Sequence, residues 1–584
     1  MLGRKESSKP IVANLIVICA REATDDPPAV DDVRRCAAGL VPDNIAPHAP
    51  LIYARDRLVT AVVNPVAGIP VHDGCVCLGR MFGPAGRWWE MQTEAPDGSY
   101  VIVRHDERSL ELLTDILSTR SLWYVQTPQL FLAATSQRAL VTLLGSFELN
   151  QEAVTWLLTC GHLGAGSWDA RLRRLPGDSR LVLDRERWDV QVHQRPAVRE
   201  PLPLSDAEHV DRLREAIFAT CASLDLPMDE WLLPLSGGMD SRMLLLGLLH
   251  AGKKPRCVTW GLTSALQDVE NDACVAGELA AALGVEHHYY PLDESKETLE
   301  AAMRRFVLLS EGQVCDFGGY ADGMGIWATF FAAGVAGVIR GDEPAFGYDA
   351  HFSSDAQVRR GDGIILLSDY PADHPIHGLG LVEQKLDDSL WRRPDESRWS
   401  WDYRLDEEMC SPATLAPLTS IKCAFVEVVN PLQSRRVLQA GREMPNHLRL
   451  RDASLATILR SLGPAIPFAK NSALGPASAP LQADSFIAAI GKALSSDSAE
   501  RILRRPALDE MVAALSQEPH TSRTGRGLKN AVTAVVPRRV IKRLRPVGPV
   551  RLSGRQLALR TFIAVQMVDI LARDAVTLAS KSVA

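Results

Sequence analysis

The stretch Trp231-Leu232-Leu233-Pro234-Leu235-Ser236-Gly237-Gly238-Met239-Asp240-Ser241 decides how this chain is read. Trp231 to Leu235 is an apolar run of strand length, and Met243 to Leu249 reads as a helix. A strand, a glycine-rich turn and a helix start together make an anion site, because backbone N–H groups converge there and the helix dipole favours negative charge. Gly237 and Gly238 let the backbone come close to a phosphate, and Ser236 and Ser241 add hydroxyl donors. Asp240 sharpens the reading. A carboxylate repels phosphate, so an acid beside the cradle points to a bridging Mg²⁺. The turn lacks the Gly-Lys-Ser/Thr ending of a Walker loop.

Working outward, the pattern from residue 231 alternates. Strands are expected at 231–235, Arg256–Trp260, His287–Pro291 and 335–339; helices are expected at 241–251, Asn271–Leu283, near 295–309 and near 322–333. Strands that alternate with helices imply a parallel sheet with right-handed crossovers. Ligands bind such sheets at the carboxyl ends of the strands, where the glycine loop sits. The strand 335–339 ends in Arg340-Gly341-Asp342-Glu343-Pro344-Ala345-Phe346-Gly347-Tyr348, and its acids can complete a Mg²⁺ site together with phosphate oxygens. Before this region, Asp206 to Leu224 reads as an amphipathic helix with Ser205 as N-cap. Residues 1 to about 200 are β-rich, with strands expected at Ile11–Cys19, Val59–Val63, Tyr100–Arg104, Leu130–Ala133 and Ser179–Leu183. Beyond about 400 the chain turns mainly helical.

The 584 residues imply two or three domains, and 46% apolar with 23% charged residues is the balance of a globular protein. A net charge of −7 argues against a dedicated nucleic-acid binder. Eleven scattered cysteines without Cys-x-x-Cys pairs read as free thiols of a reducing cytoplasm and argue against structural zinc. The polar N-terminus lacks a signal-peptide core. Gly323 to Ile339 carries no charge but is short for a membrane span, so it reads as a buried helix followed by a strand. Residues 519–560 are basic, including Arg538, Arg539, Lys542, Arg555 and Arg560; they read either as a solvated helical face or arm, or as a docking surface for an acidic partner.

Ser-Gly-Gly-x-Asp-Ser is the signature of the ATP pyrophosphatases, and from about residue 90 to 475 the chain resembles the asparagine synthetase B superfamily. The resemblance rests on 236–241, on Asp272 followed by Leu283-Gly284-Val285-Glu286-His287-His288, and on Gly341-Asp342-Glu343 with Gly347-Tyr348. Asn430-Pro431-Leu432 and Ile466-Pro467-Phe468-Ala469-Lys470 extend it, although Phe468 stands where the family carries arginine. In the N-terminal half, Asp97-Gly98-Ser99-Tyr100, Asp115 with Thr119 to Tyr124, Ala134-Thr135-Ser136 and Arg174-Leu175-Pro176-Gly177 follow in order the landmarks of the family's glutaminase domain. The resemblance implies an α/β architecture in three parts. These are a degenerate glutaminase-like (Ntn-type) β-rich sandwich over 1–200, an ATP-pyrophosphatase domain with a parallel sheet over 201–480, and a helical, basic extension over 481–584. It further implies that ATP is bound by Leu235, Ser236, Gly237, Gly238, Asp240, Ser241, Trp260 and Asp272, that Asp240 and Asp342 hold Mg²⁺, and that Lys470 stabilises charge in acyl transfer.

A glutaminase of this type uses Cys as its mature first residue, whereas this sequence begins Met-Leu and its first cysteine is Cys19. Glutamine is therefore not the expected nitrogen donor. The pattern is similar to branches whose amine lies on the substrate, above all the lasso peptide macrolactam synthetases, which Arg340-Gly341-Asp342-Glu343 with Phe346-Gly347 resembles. The expected substrate is then a leaderless precursor peptide, its Asp or Glu side chain adenylated and attacked by its own α-amine. A leader peptidase and a leader-binding protein are the expected partners. The β-lactam synthetase branch places a basic Tyr where this chain has Ile339, which leaves the general base open. Other glutamine-independent synthetases and a non-catalytic peptide-binding scaffold are the alternatives.

Overall fold

The structure, a computed structural model, describes residues 14–22, 30–46, 48–64, 69–84, 86–293, 297–342, 352–449, 453–474, 479–517, 550 and 552–578. The β-rich N-terminal part contains β1 (Asn14–Ala20), β2 (Leu51–Arg55), β3 (Leu58–Val63), β4 (Val71–His72), β5 (Cys75–Met81) and β6 (Gly98–His105). It continues with β7 (Ser109–Thr114), β8 (Trp123–Gln126), β9 (Leu130–Ala134), β10 (Arg173–Arg174), β11 (Ser179–Asp184) and β12 (Asp189–Gln194). Two antiparallel sheets result, ordered β10-β8-β9-β1-β3-β2 and β12-β11-β7-β6-β5-β4.

The period of two along each strand explains the layering. In β1, Leu15, Val17 and Cys19 join Val76, Leu78, Val101, Val103, Leu181 and Leu183 of the other sheet in one core between the sheets. Ile16 and Ile18 point the other way, onto the helices Val30–Ala38 and Gln137–Leu144. A strand covered on both faces must be apolar, and β1 is so from Leu15 to Ala20, with only the half-buried Asn14 at its start polar. The expected sandwich is present, with more strands than the sequence announced. Strands β2, β4, β5, β7, β8, β10 and β12 were not anticipated, and residues 11–13 lie outside the described residues.

A third sheet is parallel throughout and ordered β15-β14-β13-β16-β17, from β13 (Trp231–Pro234), β14 (Arg256–Gly261), β15 (His287–Pro291), β16 (Gly337–Ile339) and β17 (Glu427–Val429). Alternate residues again split the two faces. Leu232, Val258, Val338 and Val428 join one core; Trp231, Leu233, Cys257, Ile339 and Val429 join another. The helices Met239–His250 and Asp272–Leu283 follow β13 and β14, and Asp206–Ser223 starts with a reciprocal capping box between Ser205 and Glu208. The uncharged stretch forms helix Gly325–Ala332 and then β16. No helix among the described residues is long and apolar enough to cross a membrane, and no cysteine is in a disulfide.

Past 400 the described residues are mainly helical, as expected, and strand β17 is an addition that the sequence did not announce. The helix Ser411–Cys423 ends beside the sheet and returns Glu427–Val429 to its edge, next to β16. The C-terminal part also differs from a solvated arm where it is described. Helix Gly554–Val576 lies in a large core with Leu157, Phe306 and Ile490, and Arg560 donates to the Leu158 and Thr159 carbonyls at 2.8 and 2.8 Å. Residues 519–549 of the basic segment lie outside the described residues. Ion pairs join the sandwich to the rest: Arg120 with Glu427, Arg435 with Asp178 at 2.7 Å, and Arg138 with Asp574 at 2.7 Å.

Candidate active site

Strand β13 lies between β14 and β16, so the chain leaves the sheet to one side after β13 and to the other after β16. The crevice at such a reversal is where open α/β sheets bind ligands. Both loops singled out in the sequence end there.

The loop after β13 is braced by its own hydroxyls. The Ser236 N–H donates to Ser241 Oγ at 3.0 Å, the two hydroxyls lie 3.0 Å apart, and the Gly238 N–H donates to Ser236 Oγ at 3.2 Å. Gly238 starts the helix in extended conformation, with no side chain capping it. The Gly237 N–H donates to Asp272 Oδ1 at 3.0 Å. A methyl group on Gly237 would lie 2.3 Å from Cβ of Ala469 and 3.0 Å from Val275. Only glycine fits. Gly341 plays the matching part after β16: a Cβ there would lie 3.0 Å from the carbonyl carbon of Asp240. This close approach brings Asp342 to the start of the Asp240 helix.

Between the loops lies a cavity of about 270 Å³, lined by Leu235, Ser236, Asp240, Ser241, Trp260, Asp272 and Asp342 among others. Gly237 and Gly238, expected from the sequence to bind ATP, belong to the same loop but are not among the residues that line the cavity. The Trp260 ring meets Trp327 edge-on at 5.5 Å and Phe330 at 6.1 Å, which fixes its orientation. The Thr259 hydroxyl donates to the Leu235 carbonyl at 2.6 Å and ties β14 to the glycine loop.

The electrostatics centre on Asp342. Burial works to raise its carboxyl. The Arg340 guanidinium, bonded to both oxygens at 2.7 and 2.6 Å, and Lys422 farther away outweigh burial and hold it at about 2. Lys422 is itself buried. Desolvation, then repulsion from Arg340, brings its ammonium down to about 7 against the pull of Asp342, and Nζ donates to the Leu418 carbonyl at 2.9 Å. Asp240 and Asp342 thus offer hard oxygen donors to one cavity. Among the described residues no group of three or more His, Cys, Asp and Glu could hold a metal ion. Two carboxylates completed by phosphate oxygens and water is how Mg²⁺ is commonly held beside a nucleotide, so these residues fit that ion with ATP and not a protein-only cage.

Lys470 stands apart from the cavity. Its Nζ bonds Glu270 at 2.5 Å, and its side chain is 69% exposed. The segment around it is nevertheless seated on the site and is not an open lid. The Ala469 N–H donates to the Gly237 carbonyl at 3.1 Å, the Lys470 N–H to the Glu270 carbonyl at 2.8 Å, and the Asp272 N–H to the Asn471 carbonyl at 2.9 Å. Ser472, Ala473 and Leu474 line the cavity. The sequence reading missed these three, Thr259 and Lys422, and passed over Arg340 as a partner for Asp342. Lys422 did leave a signal, as a lone charge beside the apolar run Cys423 to Val426. Residues 343–350 of the second loop lie outside the described residues.

In the sandwich, Asp115, one of the residues that carried the glutaminase resemblance, serves structure. Asp115 accepts N–H bonds from Tyr100, Leu117 and Thr119 at 3.0, 3.1 and 3.1 Å and locks a turn. Cys19 is 0% exposed within β1, and burial raises its thiol, the reverse of what a nucleophile needs.

No protein-family model and no curated protein matches this chain. Among solved structures it has a weak likeness to the glutamine phosphoribosylpyrophosphate amidotransferase of B. subtilis complexed with ADP and GMP: 8% identity over 60% of this chain and 88% of that chain, with a TM-score of 0.19. The site described above stands on its own geometry.

Proposed function

We propose that this chain is an ATP-dependent amide-bond-forming ligase that yields AMP and pyrophosphate, of the asparagine synthetase-like kind with a degenerate Ntn-type N-terminal domain, and that it closes a macrolactam in a leaderless lasso precursor peptide. One juxtaposition carries the reading: the glycine loop and Asp342, from adjacent parallel strands, face one cavity at the point where strand order reverses. In the proposed reaction the N–H groups of the glycine loop, with Ser236 and Ser241, bind the phosphates of ATP. Asp240 and Asp342 hold Mg²⁺, which when bound neutralises charge developing on phosphate. Asp342 enters this role already ionised, and Arg340 yields one of its two hydrogen bonds. The carboxylate of an Asp or Glu side chain attacks the α-phosphorus and pyrophosphate leaves. The peptide's α-amine then attacks the acyl-adenylate, releasing AMP. Lys470 leaves Glu270 to meet the charge on the tetrahedral oxygen. Much of the rate in ring closure comes from holding amine and acyl carbon together.

A second reading, a non-catalytic peptide-binding scaffold, is favoured by the Lys470–Glu270 pair, which turns the expected catalytic cation outward. Pyrophosphate release separates the two. Wild-type protein with Mg²⁺, ATP and a leaderless peptide bearing an internal Asp or Glu should release pyrophosphate, and Asp240→Asn should lower the rate on the order of a hundredfold or more. A folded Asp240→Asn protein that releases pyrophosphate at the wild-type rate would overturn the metal assignment. No release from the wild type, with the peptide still bound, would leave the scaffold.

A further inference from the structure

Arg242 follows Ser241 on the helix that begins at the glycine loop, is 3% exposed, and forms no salt bridge among the described residues. Its guanidinium is spent on the backbone of the Lys470 segment. Nη1 donates to the Ile466 carbonyl at 2.6 Å, and Nη2 donates to the Pro467 carbonyl at 3.1 Å, with the Gly237 carbonyl at 3.5 Å. The guanidinium carbon lies 4.5 Å from the Phe468 ring centroid, a cation–π contact. Just past Phe468, the Ala469 N–H returns to the Gly237 carbonyl. Two successive carbonyls, a ring face and a backbone amide are therefore all referred to one side chain and one glycine of the phosphate loop. A planar fork meets two carbonyls in fixed geometry; a lysine ammonium on a flexible stem does not. Phe468 is also the position where arginine was expected from sequence, and here the guanidinium that packs at that position comes from the opposite side, from the phosphate-loop helix.

We propose that Arg242 is a positioning residue: through the Ile466 and Pro467 carbonyls it sets the register of segment 466–471 on the phosphate loop, and with it the place from which Lys470 works. The second half of this statement rests on the role given to Lys470 above; the first half does not. Phe468, 38% exposed, is the outer clamp of the same contact.

Amide hydrogen exchange on the full chain without nucleotide tests the first half. In Arg242→Gln the amides of Ala469, Lys470 and Asn471 should exchange roughly tenfold faster or more, while β13 and the helix Asp272–Leu283 keep wild-type protection. Arg242→Lys should behave like Arg242→Gln, and Phe468→Leu should give a smaller rise at the same amides. In pyrophosphate release, Arg242→Gln should lose about a hundredfold in kcat with KM for ATP within about threefold, because misplacement penalises the step and not the binding. Unchanged exchange at 469–471 in a folded Arg242→Gln overturns the proposal. So does a rise spread evenly over β13 and both helices, which would mean general loosening. Should Arg242→Gln fail to fold, Phe468→Leu decides: wild-type exchange and wild-type kcat together overturn it. Absence of pyrophosphate release from the wild type would remove the ligase reading alone, and the exchange result would still decide the strut.

Discussion

Gly237 shows how a single missing atom can carry a site. Its backbone sits against Ala469 and Val275 so closely that a methyl group would have to displace the segment that bears Lys470. Gly237→Ala should therefore cost about 1–3 kcal/mol in stability and more in function, since the displaced segment also lines the cavity through Ser472 to Leu474. Thermal unfolding together with ATP binding would show it; a variant with wild-type affinity and melting temperature would mean that the contact is softer than drawn. Asp342 makes the complementary point about charge. Its carboxyl is kept at about 2 by Arg340 and Lys422 against burial, so it stays ionised across the physiological range. Arg340→Met should leave burial less opposed and raise that pKa. The carboxyl's contribution to stability, present in the wild type above about pH 4 and lost as pH falls toward 2, should then shrink: the unfolded carboxyl still sets where the loss begins, and the raised folded pKa ends it at a higher pH. Acid titrations of unfolding for both proteins would read the shift.

Among the elements, the turn between helices Arg398–Leu405 and Ser411–Cys423 departs most from regularity. Asp406–Cys410 is a single π-helical turn joining the two. Such turns are rare and carry extra backbone width. Within it Glu407 receives Arg199 at 3.3 Å and Arg442 at 2.8 Å. Asp406 forms no ion pair among the described residues; burial, then Glu407 and Asp402, raise its carboxyl to about 8 against the weaker pull of the Ser411 hydroxyl and of Arg199. The sign follows from proton counts. Between the ordinary carboxyl range and pH 8 the folded chain holds a proton at Asp406 that the unfolded chain has released, so stability falls as pH rises through that window. Asp406→Asn should remove the penalty: its melting temperature should exceed that of wild type most near pH 8, with the difference shrinking toward pH 4. A difference that does not change with pH would mean that Asp406 is ionised in the fold. The parallel strands tell a related story at the level of pattern. Trp231–Pro234 was legible because it precedes the glycine loop. Glu427–Val429 was not, because three residues after a helix carry no period, and only pairing with β16 makes them a strand.

Across the whole molecule, the last described helix, Gly554–Val576, packs on helices Gln137–Leu144 and Gln151–Cys160 of the sandwich side and on Leu299–Ser310 and Asp484–Leu494 of the other. Phe562 is buried in that shared core, so Phe562→Ala should cost about 3–5 kcal/mol and lower the unfolding of both parts together. Circular dichroism and tryptophan fluorescence should shift by the same amount; a shift in one signal alone would show that the helix serves one part only. The sequence by itself determined the alternation of strand and helix from residue 231, the glycine loop after the first of those strands, and the acid at the end of the neighbouring strand, because these depend on local period and turn chemistry that each segment carries within itself. Only the tertiary structure decided the order β15-β14-β13-β16-β17, which sets Asp240 and Asp342 on one cavity, the pairing of Asp342 with Arg340 over a buried Lys422, and the hold of Arg242 on the Lys470 segment. It also turned the arginines at 555 and 560 inward, where a count of charges had suggested a surface. Those outcomes depend on which distant segments meet and on how much water is excluded when they do, and neither is encoded in any one stretch of chain.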